Sequence, residues 1–544
     1  MSRPGDSLAA TKSMAVGTLI SRATGFLRTL IIAAAIGKVI GDGYNVANTV
    51  PNIVYELLLG GVLTSVVVPL LVTAARTDGD GGEAYAQRLL TVVVIGLGLA
   101  SLVAVGLAPL IIRAYFGGSQ HKIVTPLELK EHARSISVGI VFARFFLPQI
   151  FFYGVGALLG AILNVRGSFA PPMWAPILNN VIVIVTGGLF IVVTSVARVD
   201  VGLLTSSQEY LLAIGTTVGV IAQTVALFPA LKSVRFHMRL RFDLRRTGLA
   251  KAARLAGWVF VYVAANQLAY LEISRLANSS VQGSYSIYSY AFLLVLLPHS
   301  VVAVSVITAL LPRMSANAGE GRTAAVADDL ARGVKLSAVI LIPAAFAGVV
   351  LGPLIGAVLF AHHTLGLAAG RLVGATLAAY AISLVPFSAF QLQLRAFYAL
   401  HDTRTPALVN VVLAVINVVA DLIAFAVFPA REQVVGLALG YSLSYFVGYA
   451  WFTVLLRRRI GPAPAAHLAG TLARLLISGA LAAVVGYATA RAVTSVMGLG
   501  FGASLVAVVA GVAVGGPTYL WMALKLQVRE VEEVGALARA RWVP

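Results

Sequence analysis

The chain has 544 residues, 59% of them hydrophobic and only 11% charged, with a mean hydropathy of +0.91, whereas soluble domains carry about 25% charged residues. That composition excludes a water-soluble globular protein and predicts an all-α polytopic membrane protein. The net charge of +19 would raise the question of nucleic acid in a soluble chain, but here it is read as basic residues in short loops beside anionic headgroups, so no nucleic-acid partner is expected.

The first ten residues are polar, and the apolar run after them is too long for a cleavable signal peptide, so the first span is expected to stay in the mature protein. Fourteen hydrophobic segments follow in order: 12–36, 45–75, 86–112, 135–163, 172–196, 209–230, 252–278, 284–311, 332–360, 370–399, 407–428, 433–456, 469–492 and 498–524. About 20 residues suffice to span hydrocarbon as a helix, and Pro or Gly inside such runs is tolerated where neighbouring helices satisfy the freed backbone. An even number of spans puts both termini on one side. The loop after segment six carries Lys232, Arg235, Arg239, Arg241, Arg245, Arg246, Lys251 and Arg254 against Asp243 alone. Arg166, Arg313, Arg404 and the triplet Arg457-Arg458-Arg459 also follow even-numbered segments. The positive-inside rule therefore predicts cytoplasmic termini.

The basic loop divides the first twelve segments into six and six. The expected organisation is an N-terminal lobe at 1–231, a basic cytoplasmic loop at 232–251, a C-terminal lobe at 252–457, and two extra helices with a cytoplasmic tail at 458–544. Transporters built from repeats place the substrate near the midplane between them.

Charges inside the spans are the candidate site. A charge at the centre of a membrane helix costs ~2.5–3.5 kcal/mol on insertion scales, so such residues are functional hypotheses by default. Segment one holds Arg22 and Arg28, and segment two holds Glu56. The arginines are six residues apart, about 120° around a helix, so a broad cavity wall could hold both but a narrow stripe could not. Arginine donates to phosphate as a fork and stays charged, which suits a pyrophosphate; pairing with Glu56 is the structural alternative. Arg144 in segment four is either a substrate contact or a side chain that snorkels to the interface, and snorkelling is the default for Arg395 in segment ten. Glu272 and Arg275 share a face of segment seven and can pair or bind ligand. Asn417 and Asp421, four apart in segment eleven, offer oxygen ligands for a coupling Na+ or proton, unless Asp421 is merely solvated.

Several motifs carry a family resemblance. SRATGFLR at 21–28 is followed by IIAAAIG, VPN, Gly60-Gly61 and VVVPLL; GAILNVRGSFAPPMWAPILNN spans 160–180, LLP spans 310–312 and FYALHDTRTP spans 397–406. Together they resemble the MurJ/MviN lipid II flippases, in an actinobacterial version. The resemblance covers segments one to twelve and implies the multidrug/oligosaccharidyl-lipid/polysaccharide exporter fold: two six-helix lobes in a V plus two C-terminal helices forming a lipid-facing groove. It also implies the activity, which is alternating-access movement of undecaprenyl-pyrophosphate-linked peptidoglycan precursor from the inner to the outer leaflet of the bacterial plasma membrane. Membrane lipids and the peptidoglycan synthesis or division machinery are the implied partners.

By the same resemblance Arg22 and Arg28 are the substrate contacts, and Asn417 with Asp421 resembles the sodium site of some members. The match is incomplete: many relatives have a basic pair where this chain reads Tyr55-Glu56, and charged positions of segment eight become Phe292-Leu293 and Leu296. A less positive cavity is expected. Actinobacterial relatives continue into a cytoplasmic pseudokinase region, whereas this chain stops at Pro544, so it is expected to lack that part or to be truncated.

A cation-coupled drug antiporter of the same superfamily is the alternative, supported by Glu56, Glu272 and Asp421. An enzyme is not expected, because no paired carboxylates, metal-ligand spacing or nucleophile–base pattern stands in the short loops, and cysteine is absent. Neither a resident cofactor nor a metal is predicted; the energy source is Na+, H+ or the membrane potential.

Overall fold

The computed structural model describes residues 4–57, 67–116, 126–194, 205–243, 249–361, 366–461 and 465–533. Its helices form two compact units, Met1–Ser286 and Ile287–Pro544. Among the described residues, ten helices are long and apolar enough to cross a bilayer, or eleven when one bent pair is counted as a span. The all-α membrane architecture stands.

The first unit contains α1 (Pro4–Leu57), α2 (Val68–Thr77), α3 (Glu83–Gly106), α4 (Ala108–Phe116), α5 (Pro126–Phe146), α6 (Gln149–Val165), α7 (Ala170–Thr194), α8 (Ser206–Val225), α9 (Phe228–Ser233) and α10 (Leu249–Ser279). α1 runs on through 37–44, where the hydropathy reading placed a break between segments one and two. α5 and α6 meet at Leu147-Pro148, because Pro148 has no N–H to continue the ladder. Local chemistry sets several starts. Asp80 accepts from the backbone N–H of Gly82 at 3.0 Å and of Ala84 at 2.7 Å ahead of α3, and the Ala84 bond leads in holding its carboxyl below the usual range. Thr205 and Gln208 form a reciprocal capping box on α8.

Asp42 is a buried carboxylate that the hydropathy reading passed over. It accepts from the N–H of Gly283 and of Ser286, both at 2.8 Å, and from the Ser286 hydroxyl at 2.7 Å. One and two turns on, Asn45 donates to Ser286 Oγ at 3.2 Å and Thr49 lies 2.7 Å from the Tyr285 hydroxyl. One face of α1 thus caps the segment that opens the next helix.

The second unit contains α11 (Ser284–Pro298, which begins in the first), a π-turn at His299–Ala303, α12 (Val304–Gly319), α13 (Thr323–Phe360), α14 (Gly366–Ala381), α15 (Leu384–Ala399), α16 (Arg404–Val427), α17 (Gln433–Ile460), α18 (Ala465–Met497) and α19 (Phe501–Lys525). α14 and α15 are bent by 51°. α13 and α14 cross through two facing glycine pairs four apart, Gly352 with Gly356 and Gly370 with Gly374. A Cβ on Gly356 or Gly374 would run into the opposite backbone, which is the small-residue packing that lets membrane helices approach closely. α18 and α19 pack against α13 around Ile342, Leu475 and Tyr519, whose hydroxyl donates to Val339 O at 2.7 Å. Beyond α19 the chain docks back on α13 through Lys335–Glu530 at 3.2 Å and Arg332–Glu533 at 3.4 Å.

Candidate functional site

In the first unit the SRATGFLR stretch presents two faces. Ser21, Thr24, Gly25 and Arg28 fall on one side of α1, at helical spacings of three and four, and that side packs on α7. Asn180 of α7 holds it there: its Nδ2 donates to Ser21 O and to Thr24 Oγ1, each at 3.0 Å. Arg28, one turn further along, is half-buried, and its charge acts on the hydroxyls of Tyr44 and Tyr153.

These tyrosines belong to a polar group inside an otherwise apolar unit. Tyr44 lies 2.9 Å from Thr216 Oγ1 of α8. Tyr153 of α6 sits with its ring 4.5 Å from that of Tyr55 and its hydroxyl beside Asn179. Asn179 in turn donates to Gln223 Oε1 at 3.3 Å. Four helices thus contribute hydroxyls and amides to this polar group, and two of its tyrosines lie within range of the Arg28 charge. Among the described residues no carboxylate pairs with Arg28 or with the exposed Arg22. The pairing partner considered for them, Glu56, lies on α1, but its side chain is outside the described residues. A permanent cation without a carboxylate partner keeps its charge available to an anion.

The other candidates are placed separately. Arg144 is exposed at the end of α5. Glu272 and Arg275 of α10 approach to 3.6 Å, an ion pair that is partly open to the surroundings. A stronger pair went unpredicted: Arg134 of α5 binds the buried Glu209 of α8. Of the motif residues, Arg166 donates to Val234 O at 3.1 Å and lies 5.1 Å over the Phe236 ring.

In the second unit Asn417 donates from Nδ2 to Asp421 Oδ2 at 2.9 Å, and both residues are buried in α16. The other carboxylate oxygen, Oδ1, faces Gly440 of α17 and has no hydrogen-bond partner among the described residues. Asp421 is therefore a core residue and not a solvated one. A buried carboxylate oxygen without a donor is a seat for a hard cation or a proton. His299 in the π-turn lies 2.8 Å from Ser388 Oγ, against Phe387.

Residues 397–406 form a tight turn. His401 takes a left-handed φ of 58°, and Asp402 accepts from Thr405 N at 2.9 Å and from the Arg459 guanidinium. Burial pushes the Asp402 carboxyl up, but the bonds from Thr405 and Arg459 outweigh it and hold the group below the usual carboxylate range. A cavity of about 700 Å³, its open mouth included, lies between α13, α15, α17 and α18; Val334, Leu456, Arg457 and Leu472 are among its lining residues.

A sequence model of the family described as "Lipid II flippase MurJ" matches residues 32–508. The chain belongs to the MurJ family. It is 27% identical over 446 residues to the lipid II flippase MurJ of Burkholderia cenocepacia, covering 81% of each chain. Its fold is similar to a solved lipid II flippase MurJ in the inward closed conformation, with a TM-score of 0.72 at 18% identity over 94% of this chain and 97% of that one. A multidrug resistance MATE family transporter in an inward-facing conformation is similar at a TM-score of 0.60 and 15% identity, over 81% and 95%. The MurJ likeness is thus the fuller of the two, and MurJ membership makes the chain a transporter and not an enzyme.

Of the arginines predicted in segment one, the fold half-buries Arg28, whose charge reaches Tyr44 and Tyr153, and leaves Arg22 exposed. Sequence reasoning passed over Tyr153, Asn179, Asn180 and Gln223, although Asn179-Asn180 closes one of the MurJ-like motifs. Two adjacent amides in a membrane helix are a signal in themselves, since each must find a partner in oil.

Proposed function

We propose that this protein translocates lipid II, the polyprenyl-pyrophosphate-linked disaccharide-pentapeptide, from the cytoplasmic to the outer leaflet of the bacterial plasma membrane. The observation that carries the reading is Arg28: a half-buried arginine whose charge reaches Tyr44 and Tyr153, with no carboxylate partner among the described residues, in a chain of the MurJ family.

The pyrophosphate docks at Arg28, with Arg22 as the outer contact on the same helix and Glu272–Arg275 as a pair that can open to substrate. The prenyl chain stays in the apolar surroundings, along α18 and α19. The apolar cavity edged by Arg457 supports room for such a chain. Substrate neutralises the arginine and shifts the population between inward- and outward-open states. Membrane potential contributes ~2.3 kcal/mol per charge per 100 mV, in the direction that drives an anion outward. Asn417 and Asp421 bind the coupling Na+ or proton, which resets the carrier. Both termini and the basic linker lie in the cytoplasm, and the outer leaflet hands lipid II to the peptidoglycan machinery.

The test is depletion of the native protein with complementation. Wild type restores lipid II to the outer leaflet and Arg28→Ala does not. Full rescue by a stably expressed Arg28→Ala variant refutes the reading.

A further inference from the structure

The linker after α9 does not hang free. From Phe236 to Asp243 it runs without helix along the first two turns of α3. Phe236 is buried in the core of the first unit. His237 Nδ1 lies 3.1 Å from Glu83, and the His237 carbonyl accepts from Gln87 Nε2 at 2.6 Å. Arg241 donates from its backbone N–H to Thr91 Oγ1 at 2.7 Å and from Nε to Gln87 at 2.8 Å. Asp243 accepts from Arg88 at 2.8 Å. The odd-numbered side chains at 237, 241 and 243 bond to α3, which is the two-residue alternation of an extended chain.

The even-numbered side chains are apolar and uncovered: Met238 is 44%, Leu240 52% and Phe242 72% exposed. Their place relative to the bilayer follows from α3 itself. Ile95, Leu99 and Leu102 form its exposed apolar stripe, which in a membrane helix is the lipid-facing side. Arg88 and Thr91, the residues the strap covers, lie within about 40° of Ile95 around an ideal helix. The strap therefore continues the lipid-facing stripe at the point where α3 leaves hydrocarbon. Arg235 precedes the three apolar side chains and Arg239 stands between the first two, both exposed, while Asp243 is held by Arg88.

We propose that residues 236–243 are a lipid-surface anchor. Met238, Leu240 and Phe242 enter the boundary between headgroups and acyl chains, and Arg235 and Arg239 rest on anionic phosphates. The pattern is that of interfacial binding, with apolar insertion and basic residues acting together. It ties the segment that leads from α9 to α10 to the composition of one leaflet. Naming that leaflet as cytoplasmic rests on the orientation proposed above.

The full chain contains no cysteine, so Met238→Cys, Leu240→Cys, Phe242→Cys and Arg239→Cys each give a single spin-label site. The labelled proteins are placed in vesicles of phosphatidylcholine with a minority of phosphatidylglycerol. Oxygen, which partitions into lipid, is expected to collide more than a water-soluble nickel chelate at 238, 240 and 242, and less at 239. Omitting phosphatidylglycerol is expected to shrink the contrast. Dominance of the nickel chelate at all four sites, or exclusion of both reagents by a protein cover, overturns the anchor; a contrast independent of phosphatidylglycerol overturns its anionic preference. Labelling of Arg239→Cys by an impermeant maleimide from outside intact cells would refute the orientation alone, leaving the depth pattern as a separate result.

Discussion

Asn180 grips α1 at two points, the carbonyl of Ser21 and the hydroxyl of Thr24, one turn before Arg28. The residues that Asn180 holds and Arg28 therefore lie on the same face of the same helix. Replacing Asn180 by Leu removes both bonds between the helices, at ~0.5–1.5 kcal/mol each. Thermal unfolding in detergent should fall accordingly, and lipid II export should fall although Arg28 is intact.

Arg28 itself separates charge from geometry. Arg28→Ala is expected to lose at least tenfold in export, in line with ~1.5–3 kcal/mol for hydrogen bonds to charged groups. Arg28→Lys keeps the charge but not the planar fork, so it should retain an intermediate rate. Equal rates for lysine and alanine would mean that charge is irrelevant there. Outer-leaflet lipid II, measured in cells depleted of the native protein, gives the comparison.

Asp42 is a structural carboxylate, with three hydrogen bonds from residues 283 and 286. Asp42→Ala strands two buried N–H groups at the start of α11 and should cost ~2–4 kcal/mol. Asp42→Asn keeps one acceptor oxygen and should cost less. Denaturation midpoints of the two variants, and proteolysis near residues 280–286, test the order.

The Asp421 site responds to two substitutions differently. Asp421→Asn should abolish the Na+ or pH dependence of transport and leave the fold intact, because amide and carboxylate share a shape. Gly440→Ala brings a Cβ onto Asp421 Oδ1, so overpacking of ~1–3 kcal/mol is expected together with the loss of coupling. Transport assayed over a range of sodium concentration and pH in proteoliposomes measures the first, and thermal stability the second. Sodium and pH dependence unchanged in Asp421→Asn would remove this residue from the coupling scheme.

Asp402 gives a pH signature outside the spans. Its carboxyl is depressed in the folded state by Thr405 and Arg459. The stabilisation is therefore present above the ordinary carboxylate pKa and is lost as pH falls through the lower folded value. Asp402→Asn should lower the unfolding temperature at neutral pH by an amount equivalent to ~0.5–1 kcal/mol, as fits a partly exposed pair. The difference from wild type should vanish in acid.

The sequence by itself determined the class of the protein, the order of its spans and the shortlist of charges. Bilayer thickness imposes a length and an apolarity that each segment states locally, so segments three to fourteen fall on helical stretches, although five of them are broken into shorter helices and α13 begins nine residues before segment nine. It also stated that Asn417 and Asp421 share a helical face, because four residues always do. The tertiary structure decided which way those faces turn. A span that is apolar nearly all round carries little periodic signal for its rotation, so nothing local distinguished the inward Arg28 from the exposed Arg22. Burial of Asp421 against Gly440, the grip of Asn180 on Ser21, the capping of residues 283–286 by Asp42 and the strap over α3 all join residues far apart in sequence. Each depends on two helices meeting at one register, and that register is fixed by packing between elements and not by the composition of either.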